Sequence, residues 1–147
     1  MRPSADRATA SSTQGRISEL LLESRTIAVL GASNRTGRPA YYVPKYLARS
    51  GYDVFPVNPR HLGETLWGHP FAATLGELEA ATDIVNVFRR PADIPEHLDD
   101  ILAMRPLPRA VWFQLGIRND EAAARLRQAG LEVIQDRCIL IEHRALD

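Results

Sequence analysis

A glycine-containing loop follows the first apolar run of the chain and offers groups suited to holding a phosphate. The run TIAVL ends at Gly31, and the loop continues as ASNRTGRP. Gly31 and Gly37 allow a sharp turn and a close approach of the backbone. Ser33 adds a short hydroxyl beside backbone N–H donors at a predicted helix start, where phosphates and pyrophosphates bind. The spacing G-x-S-x-x-x-G is not the dinucleotide fingerprint, so an ordinary turn stays an alternative.

The second apolar run, DVFPV at 53–57, is followed by Asn58, Pro59 and Arg60. An NAD-binding domain usually carries an acidic residue here for the ribose hydroxyls. Its absence argues against NAD, whereas Arg60 is suited to a phosphate on the adenosine ribose. NADP and coenzyme A (CoA) both carry such a phosphate. A solvated loop arginine is the plainer alternative.

The third apolar run, DIVNVF at 83–88, leads into Arg89, Arg90 and Pro91. Phe88 is placed to lie against an adenine or to belong to the core. The ends of three strands thus carry groups for a phosphorylated adenine ligand, and this convergence is the reason to predict a site.

The elements that would position these groups alternate between strand and helix. Further strands are predicted from AVWFQ at 110–114 and EVIQ at 132–135, and helical patterns lie between the runs. Short runs that are apolar on both faces indicate a buried parallel sheet. We expect an α/β, Rossmann-like, doubly wound sheet of about five strands in the order 3-2-1-4-5. Pro44 falls within the first of these helices, which therefore either begins near Val43 or is kinked.

The length of 147 residues suits a single domain, which we place at 16–147 behind a flexible leader at 1–15. A net charge of zero gives no reason to expect nucleic acid or an anionic membrane as a partner. One cysteine, no long apolar run and no secretory signal predict a cytoplasmic protein. The four histidines show no metal-ligand spacing, so we expect no metal site.

The chain resembles small stand-alone CoA-binding proteins related to the N-terminal domain of the succinyl-CoA synthetase α-subunit. The matching segments cover roughly residues 20–147 in the family's order: IAVLGASNRTGRP, GYDVFPVNPRHLGETLWG, DIVNVFRRP, AVWFQLGIRN and DRCILIEHRAL. The resemblance implies that CoA lies across the carboxyl edge of the sheet.

Carried over by position, the resemblance implies three groups of contacts along the ligand. The nucleotide side would be lined by Gly31, Ala32, Ser33 and Arg38. The adenosine phosphates would contact Asn58, Pro59 and Arg60. The adenine or the start of the pantetheine arm would meet Val87, Phe88 and Arg89, and the thiol end would meet Phe113, Gln114 and Gly116.

We therefore expect a non-catalytic module that binds CoA or an acyl-CoA as a carrier, sensor or partner subunit. The resemblance does not include the synthetase's phosphorylated histidine or its nucleotide-binding subunit, so it supports binding and not ligase activity. An NADP-dependent oxidoreductase and the CoA-binding subunit of a split acyl-CoA synthetase stay open as alternatives. The expected partner is a small-molecule ligand, CoA or an acyl-CoA, and a homodimer or a partner protein that uses acyl-CoA stays open. Cys138 is expected in the core, with a mixed disulfide to the CoA thiol as the alternative.

Overall fold

A computed structural model describes residues 5–146, with side chains from residue 13 onward. The α-helices are α1 (Ala5–Glu23), α2 (Pro39–Arg49), α3 (Leu98–Leu102), α4 (Asp120–Gln128) and α5 (Ile139–Arg144). The strands are β1 (Thr26–Leu30), β2 (Asp53–Val57), β3 (Thr65–Leu66), β4 (His69–Pro70), β5 (Ile84–Val87), β6 (Ala110–Phe113) and β7 (Glu132–Ile134). Short 3-10 helices lie at Pro59–His61, Leu75–Glu77 and Pro91–His97.

Five of the strands form one parallel sheet with a separate hydrophobic core on each face. Successive residues of β1 alternate between the cores, because neighbouring side chains of a strand point to opposite faces. Ile27 and Val29 pack towards α1, α2 and α5, and Ala28 and Leu30 pack towards α3 and α4. The predicted class, an α/β Rossmann-like doubly wound sheet, is confirmed.

The predicted strand order needs a correction at the third strand of the sheet. The order is β2-β1-β5-β6-β7. Strand β5, the third strand of this sheet in chain order, therefore pairs with β1 and not with β2. In the numbering of the prediction this is 2-1-3-4-5 and not 3-2-1-4-5. The connection from β2 contains the antiparallel hairpin β3–β4 in place of an α-helix, and Ala72 forms a parallel bridge with Val57 beside β2. The winding therefore reverses at β1, which brings the ends of β1, β2 and β5 together.

Helix α2 begins at Pro39 and continues through Pro44, so it does not start near Val43. Pro44 has no N–H to donate to the carbonyl of Ala40, the partner that a helical residue at this position would use. That carbonyl instead accepts the N–H of Ser33 at 3.2 Å. The helix thus avoids an unpaired carbonyl by bonding to the loop that precedes it.

The segment after Pro91 forms a 3-10 helix before α3, because Pro95 interrupts the α-helical bonding pattern. The side chain of Asn119 caps the N-terminus of α4, where it accepts the N–H of Ala122 at 3.0 Å. No helix within the described range of the chain is long and apolar enough to cross a bilayer.

Ile17, Leu20 and Leu21 lie in the last part of helix α1 and are buried there. The first four residues of the expected leader lie outside the described residues. A flexible leader at 1–15, and a domain beginning at 16, therefore stay predictions.

Candidate functional site

Gly31 lies directly after β1, at the point where the sheet changes its winding. Its N–H donates to the carbonyl of Val57 at 2.9 Å, and the N–H of Phe88 donates to the carbonyl of Leu30 at 2.9 Å. Gly31 has a φ of 89°. A Cβ at this position would lie 2.3 Å from the carbonyl oxygen of Phe88. The backbone conformation and the close approach therefore both require glycine here.

The loop that follows Gly31 is held in place by its own hydrogen bonds. The Ser33 hydroxyl accepts the N–H of Arg35 at 3.1 Å, and the Asn34 side chain donates to Glu64 at 2.8 Å. Together with the bond from Ser33 to Ala40, these contacts join the loop to α2 and to the segment after β2. These internal hydrogen bonds restrict the loop, which lowers the entropic cost of binding a ligand there.

Asn58 is buried at the end of β2 and uses its side-chain amide within the protein. Its Nδ2 donates to the carbonyl of Ala32 at 2.9 Å, and its Oδ1 accepts the N–H of Arg60 at 3.0 Å. One side chain therefore connects the glycine loop to the turn that carries Arg60. Asn58 positions these neighbours.

Arg60 and Arg89 approach each other from the ends of β2 and β5. The pKa of Arg89 is lowered, first by burial and then by the positive charge of Arg60. The Nε of Arg89 is buried and has no hydrogen-bond partner among the described residues. A bound anion would supply the missing acceptor and reduce the repulsion between the two guanidinium groups.

The loop after β6 forms the other end of the site. Gln114 is buried, and its Oε1 accepts the N–H of Ile139 at 3.3 Å and the Nδ2 of Asn86 at 3.4 Å. Gly116 has a φ of 85°, and its N–H donates to Asp136 at 2.7 Å. Between them, Leu115 is 61% exposed.

These segments line one groove of about 810 Å³ along the carboxyl edge of the sheet. Most of the residues predicted for the site lie along it. They are Gly31, Ala32, Ser33, Arg38, Asn58, Arg60, Phe88, Arg89, Gln114 and Gly116.

Four residues named at the sequence level do not line the groove. Val87 and Phe113 are wholly buried, because their side chains belong to the core on the face of the sheet that packs against α3 and α4. Pro59 lines a neighbouring cavity of about 540 Å³, and Gly37 lies in an exposed turn with open space around it. Whether any residue of the predicted set contacts a ligand stays a prediction.

Several lining residues were missed by the sequence reasoning. They are Arg35, Pro39, Ala40, His61, Leu115 and Ile117. Arg35 carried a usable signal, since it is a cation inside the glycine loop. Leu115 and Ile117 carried none, because an apolar residue after a strand is normally expected to be covered.

Charge is distributed unevenly along the groove. Arginines surround the ends of β1, β2 and β5, no carboxylate lines the groove, and the end at β6 presents neutral and apolar groups. Arg90 is paired with Asp93 at 2.9 Å. The others, Arg35, Arg38, Arg60 and Arg89, form no ion pair with a carboxylate of residues 13–146, whose side chains the structure describes. The groove is therefore suited to a ligand that is anionic at one end and neutral at the other.

Cys138 immediately precedes α5 and packs, partly buried, against the core on that face of the sheet. This agrees with the expectation of a core residue. Among the described residues no group of three potential ligands is placed to hold a metal ion. The expectations of no metal and of no catalysis stay predictions.

Comparison with known proteins links the chain to a family. A family model described as "CoA binding domain" matches residues 25–144. The Bacillus subtilis (strain 168) protein "Uncharacterized protein YneT" is 37% identical over 132 residues, which cover 89% of this chain and 94% of that protein.

Solved structures show the same fold. A protein from Thermus thermophilus superposes with a TM-score of 0.86 at 45% identity, and the match covers 89% of this chain and 96% of that one. A hypothetical protein from Pyrococcus horikoshii OT3 superposes with a TM-score of 0.83 at 32% identity, with 90% and 91% covered.

Proposed function

The chain belongs to the CoA-binding domain family, and on that premise we propose that its groove binds coenzyme A or an acyl-CoA. The adenosine 3′-phosphate and the pyrophosphate would lie among the arginines at the ends of β1, β2 and β5. The pantetheine arm would run towards Gln114 and Gly116 at the end of β6. Three spacings between neighbouring strands separate β2 from β6, a span of about 14 Å.

The observation that carries this proposal is the pair formed by Arg60 and Arg89. The Nε of Arg89 is buried without a hydrogen-bond partner among the described residues, and the repulsion from Arg60 is only partly offset by the carboxylates of Glu96 and Asp93. A phosphate supplies several acceptor oxygens and a compensating charge. We assign the 3′-phosphate to Arg60 and expect Arg89 to contact the same phosphate or the pyrophosphate.

The distribution of charge favours CoA over NADP as the ligand. Both molecules carry a phosphate on the adenosine ribose and a pyrophosphate. The far end of oxidised NADP is a cationic ring, whereas the far end of CoA is a neutral arm. The end of the groove at β6 presents no carboxylate to a cation.

We further propose that the protein is a binding module, acting as a carrier, a sensor or a subunit of a larger acyl-CoA-using assembly, in the manner of the corresponding domain of succinyl-CoA synthetase. We expect it to act in the cytoplasm. These roles share one requirement, which is that CoA binds to the isolated chain.

Isothermal titration of ligand-stripped protein with CoA, dephospho-CoA and NADP tests the proposal. We expect CoA to bind with a Kd in the micromolar range, which corresponds to about −8 kcal/mol. Dephospho-CoA should bind more weakly because it lacks the 3′-phosphate, and NADP should give no heat of binding. Binding of NADP without binding of CoA would refute the proposal in favour of an oxidoreductase.

A further inference from the structure

Leu115 is exposed at the end of the groove although the loop that carries it is ordered. The N–H of Gly116 donates to Asp136 at 2.7 Å, and the N–H of Ile117 donates to the carbonyl of Gln114 at 2.9 Å. The N–H of Asp136 donates in turn to the carbonyl of Ile117 at 3.1 Å. These bonds hold a leucine that is 61% exposed beside Ile117, so that the two form an apolar lip on the groove.

The amide of Gln114 has a defined orientation beside this lip. Its Oε1 faces two donors, the backbone N–H of Ile139 and the Nδ2 of Asn86. Asn86 is itself oriented, because its Nδ2 also donates to the carbonyl of Trp112 at 3.3 Å. The Nε2 of Gln114 therefore faces away from both donors. No hydrogen bond from this Nε2 is found in the described part of the chain, and Gln114, which is only 4% exposed, lines the groove.

The charged groups nearest this end of the groove are engaged within the protein, and the Asp136 carboxylate accepts the N–H of Gly116 at 2.7 Å. Arg118, the nearest cation along the chain, is paired with Asp120 at 3.1 Å. The arginines that lack a carboxylate partner lie at the opposite end. A ligand group placed here would meet one N–H donor and an apolar surface, which suits a carbonyl attached to a hydrocarbon chain.

We propose that the groove selects acyl-CoA thioesters with a short, uncharged hydrocarbon acyl group over free CoA. The Nε2 of Gln114 donates to the thioester carbonyl, and the acyl chain lies on the lip formed by Leu115 and Ile117. This inference rests on the proposed function, since it requires the CoA moiety to occupy the rest of the groove.

A series of ligands that differ only beyond the sulfur atom tests both contacts without altering the protein. CoA carries no chain, S-butyl-CoA adds a four-carbon chain, and butyryl-CoA adds a chain of the same length with the thioester carbonyl. We expect S-butyl-CoA to bind about tenfold more tightly than CoA, because roughly two methylene groups are removed from water. Butyryl-CoA should bind about fivefold more tightly again through the added hydrogen bond.

A matched pair of variants separates the lip from general surface effects. Leu115→Ala should reduce the preference for S-butyl-CoA over CoA to about threefold, because most of the contact surface is removed. Leu22→Ala changes a leucine with a similar exposure, 69%, on helix α1 outside the groove, and should leave the preference unchanged. Succinyl-CoA should bind more weakly than butyryl-CoA, because its carboxylate would lie against the lip.

The outcomes distinguish this inference from the proposal on which it rests. If CoA binds and S-butyl-CoA binds no more tightly, the lip does not hold an acyl chain and the inference fails while the proposed function stands. Equal affinities for S-butyl-CoA and butyryl-CoA would remove the role of Gln114. If none of the CoA compounds binds, the proposed function itself fails.

Discussion

Asn58 and Arg60 lie close together at the end of β2 but have different roles, although the sequence analysis predicted that both contact the adenosine phosphates. Asn58 is 6% exposed, and both ends of its amide are engaged within the protein. Arg60 is exposed at the groove and has no carboxylate partner among the described residues. Asn58 therefore shapes the site, and Arg60 is the residue available to a ligand.

Replacing Arg60 by alanine should weaken CoA far more than dephospho-CoA. A hydrogen bond to a charged group contributes about 1.5–3 kcal/mol, so the Kd for CoA should rise about tenfold or more. The Kd for dephospho-CoA should rise less than about threefold, since it lacks the phosphate assigned to Arg60. Titration of both ligands gives the two ratios.

The control for this substitution is Arg49→Ala, which removes an exposed arginine from the last turn of α2. It should change neither affinity, because Arg49 is not part of the groove. Equal losses of CoA and dephospho-CoA in Arg60→Ala would show that Arg60 does not hold the 3′-phosphate.

Residue types near the predicted strand ends were enough to find most of the cationic part of the groove, although Arg35 was missed. Arg60 and Arg89 were predicted because a strand end followed by arginine is readable in the sequence. The internal role of Asn58 was not readable, because its partner, the carbonyl of Ala32, comes from another loop. Nor was the exposure of Leu115, which depends on a bond to Asp136 some twenty residues later.

The glycine loop offers a matched comparison at the level of the element. Gly31→Ala forces a residue with a Cβ into a φ of 89° and against the carbonyl of Phe88, so the loop must move. We expect a loss of about 2–4 kcal/mol in the free energy of unfolding, and loss of CoA binding. Gly37→Ala meets open space at an ordinary φ and should change stability by less than about 1 kcal/mol.

Denaturant unfolding and CoA titration of both variants make the comparison. Intact CoA binding in Gly31→Ala would contradict the view that this turn shapes the groove. A large loss of binding in a stable Gly37→Ala would show instead that the ligand approaches Gly37, as the sequence suggested.

Helices α2 and α5 meet at His143, which provides a pH-dependent contact. The Tyr46 hydroxyl lies 2.7 Å from the Nδ1 of His143, and the ring of Tyr52 packs edge-on against the imidazole. Burial lowers the pKa of His143, so the folded state favours the neutral ring. The unfolded state then binds more protons, and stability is lost as the pH falls below the unfolded value of about 6.5.

The temperature of the thermal unfolding midpoint should therefore decrease when the pH is lowered from about 8 to about 5.5. His143→Asn keeps a side-chain acceptor in the ring's place but does not titrate, so its midpoint should fall less over the same range. Parallel curves for the two proteins would show that His143 does not contribute to the pH dependence.

At the level of elements, the strands were predictable and the position of one of them was not. Continuous apolar runs such as TIAVL indicate buried strands whatever their neighbours are. The place of β5 depends on the connection after β2, whose short hairpin and bridge at Ala72 left too little regular structure to read. Placing β5 beside β1 brings Phe88 and Arg89 next to Gly31, which makes the predicted convergence closer than the expected order would have made it.

The whole molecule has no net charge, yet its groove carries a local excess of positive charge. Carboxylates such as Asp93, Glu96 and Asp100 line a neighbouring cavity that shares arginines with the groove. The attraction of an anionic ligand must therefore come from short-range contacts with the groove arginines, and long-range steering contributes little.

The excess of positive charge in the groove predicts how salt affects ligand binding. Raising the ionic strength from about 0.05 M to about 0.5 M shortens the screening length from roughly 14 Å to roughly 4 Å, which weakens partly exposed charge contacts. The Kd for CoA should rise about tenfold over this range, and that for dephospho-CoA should rise less because it has fewer charges to screen. Titration at several KCl concentrations measures both slopes. A Kd for CoA that does not change with salt would mean that the groove arginines do not hold its phosphates, and the charge pattern would then have no part in recognition.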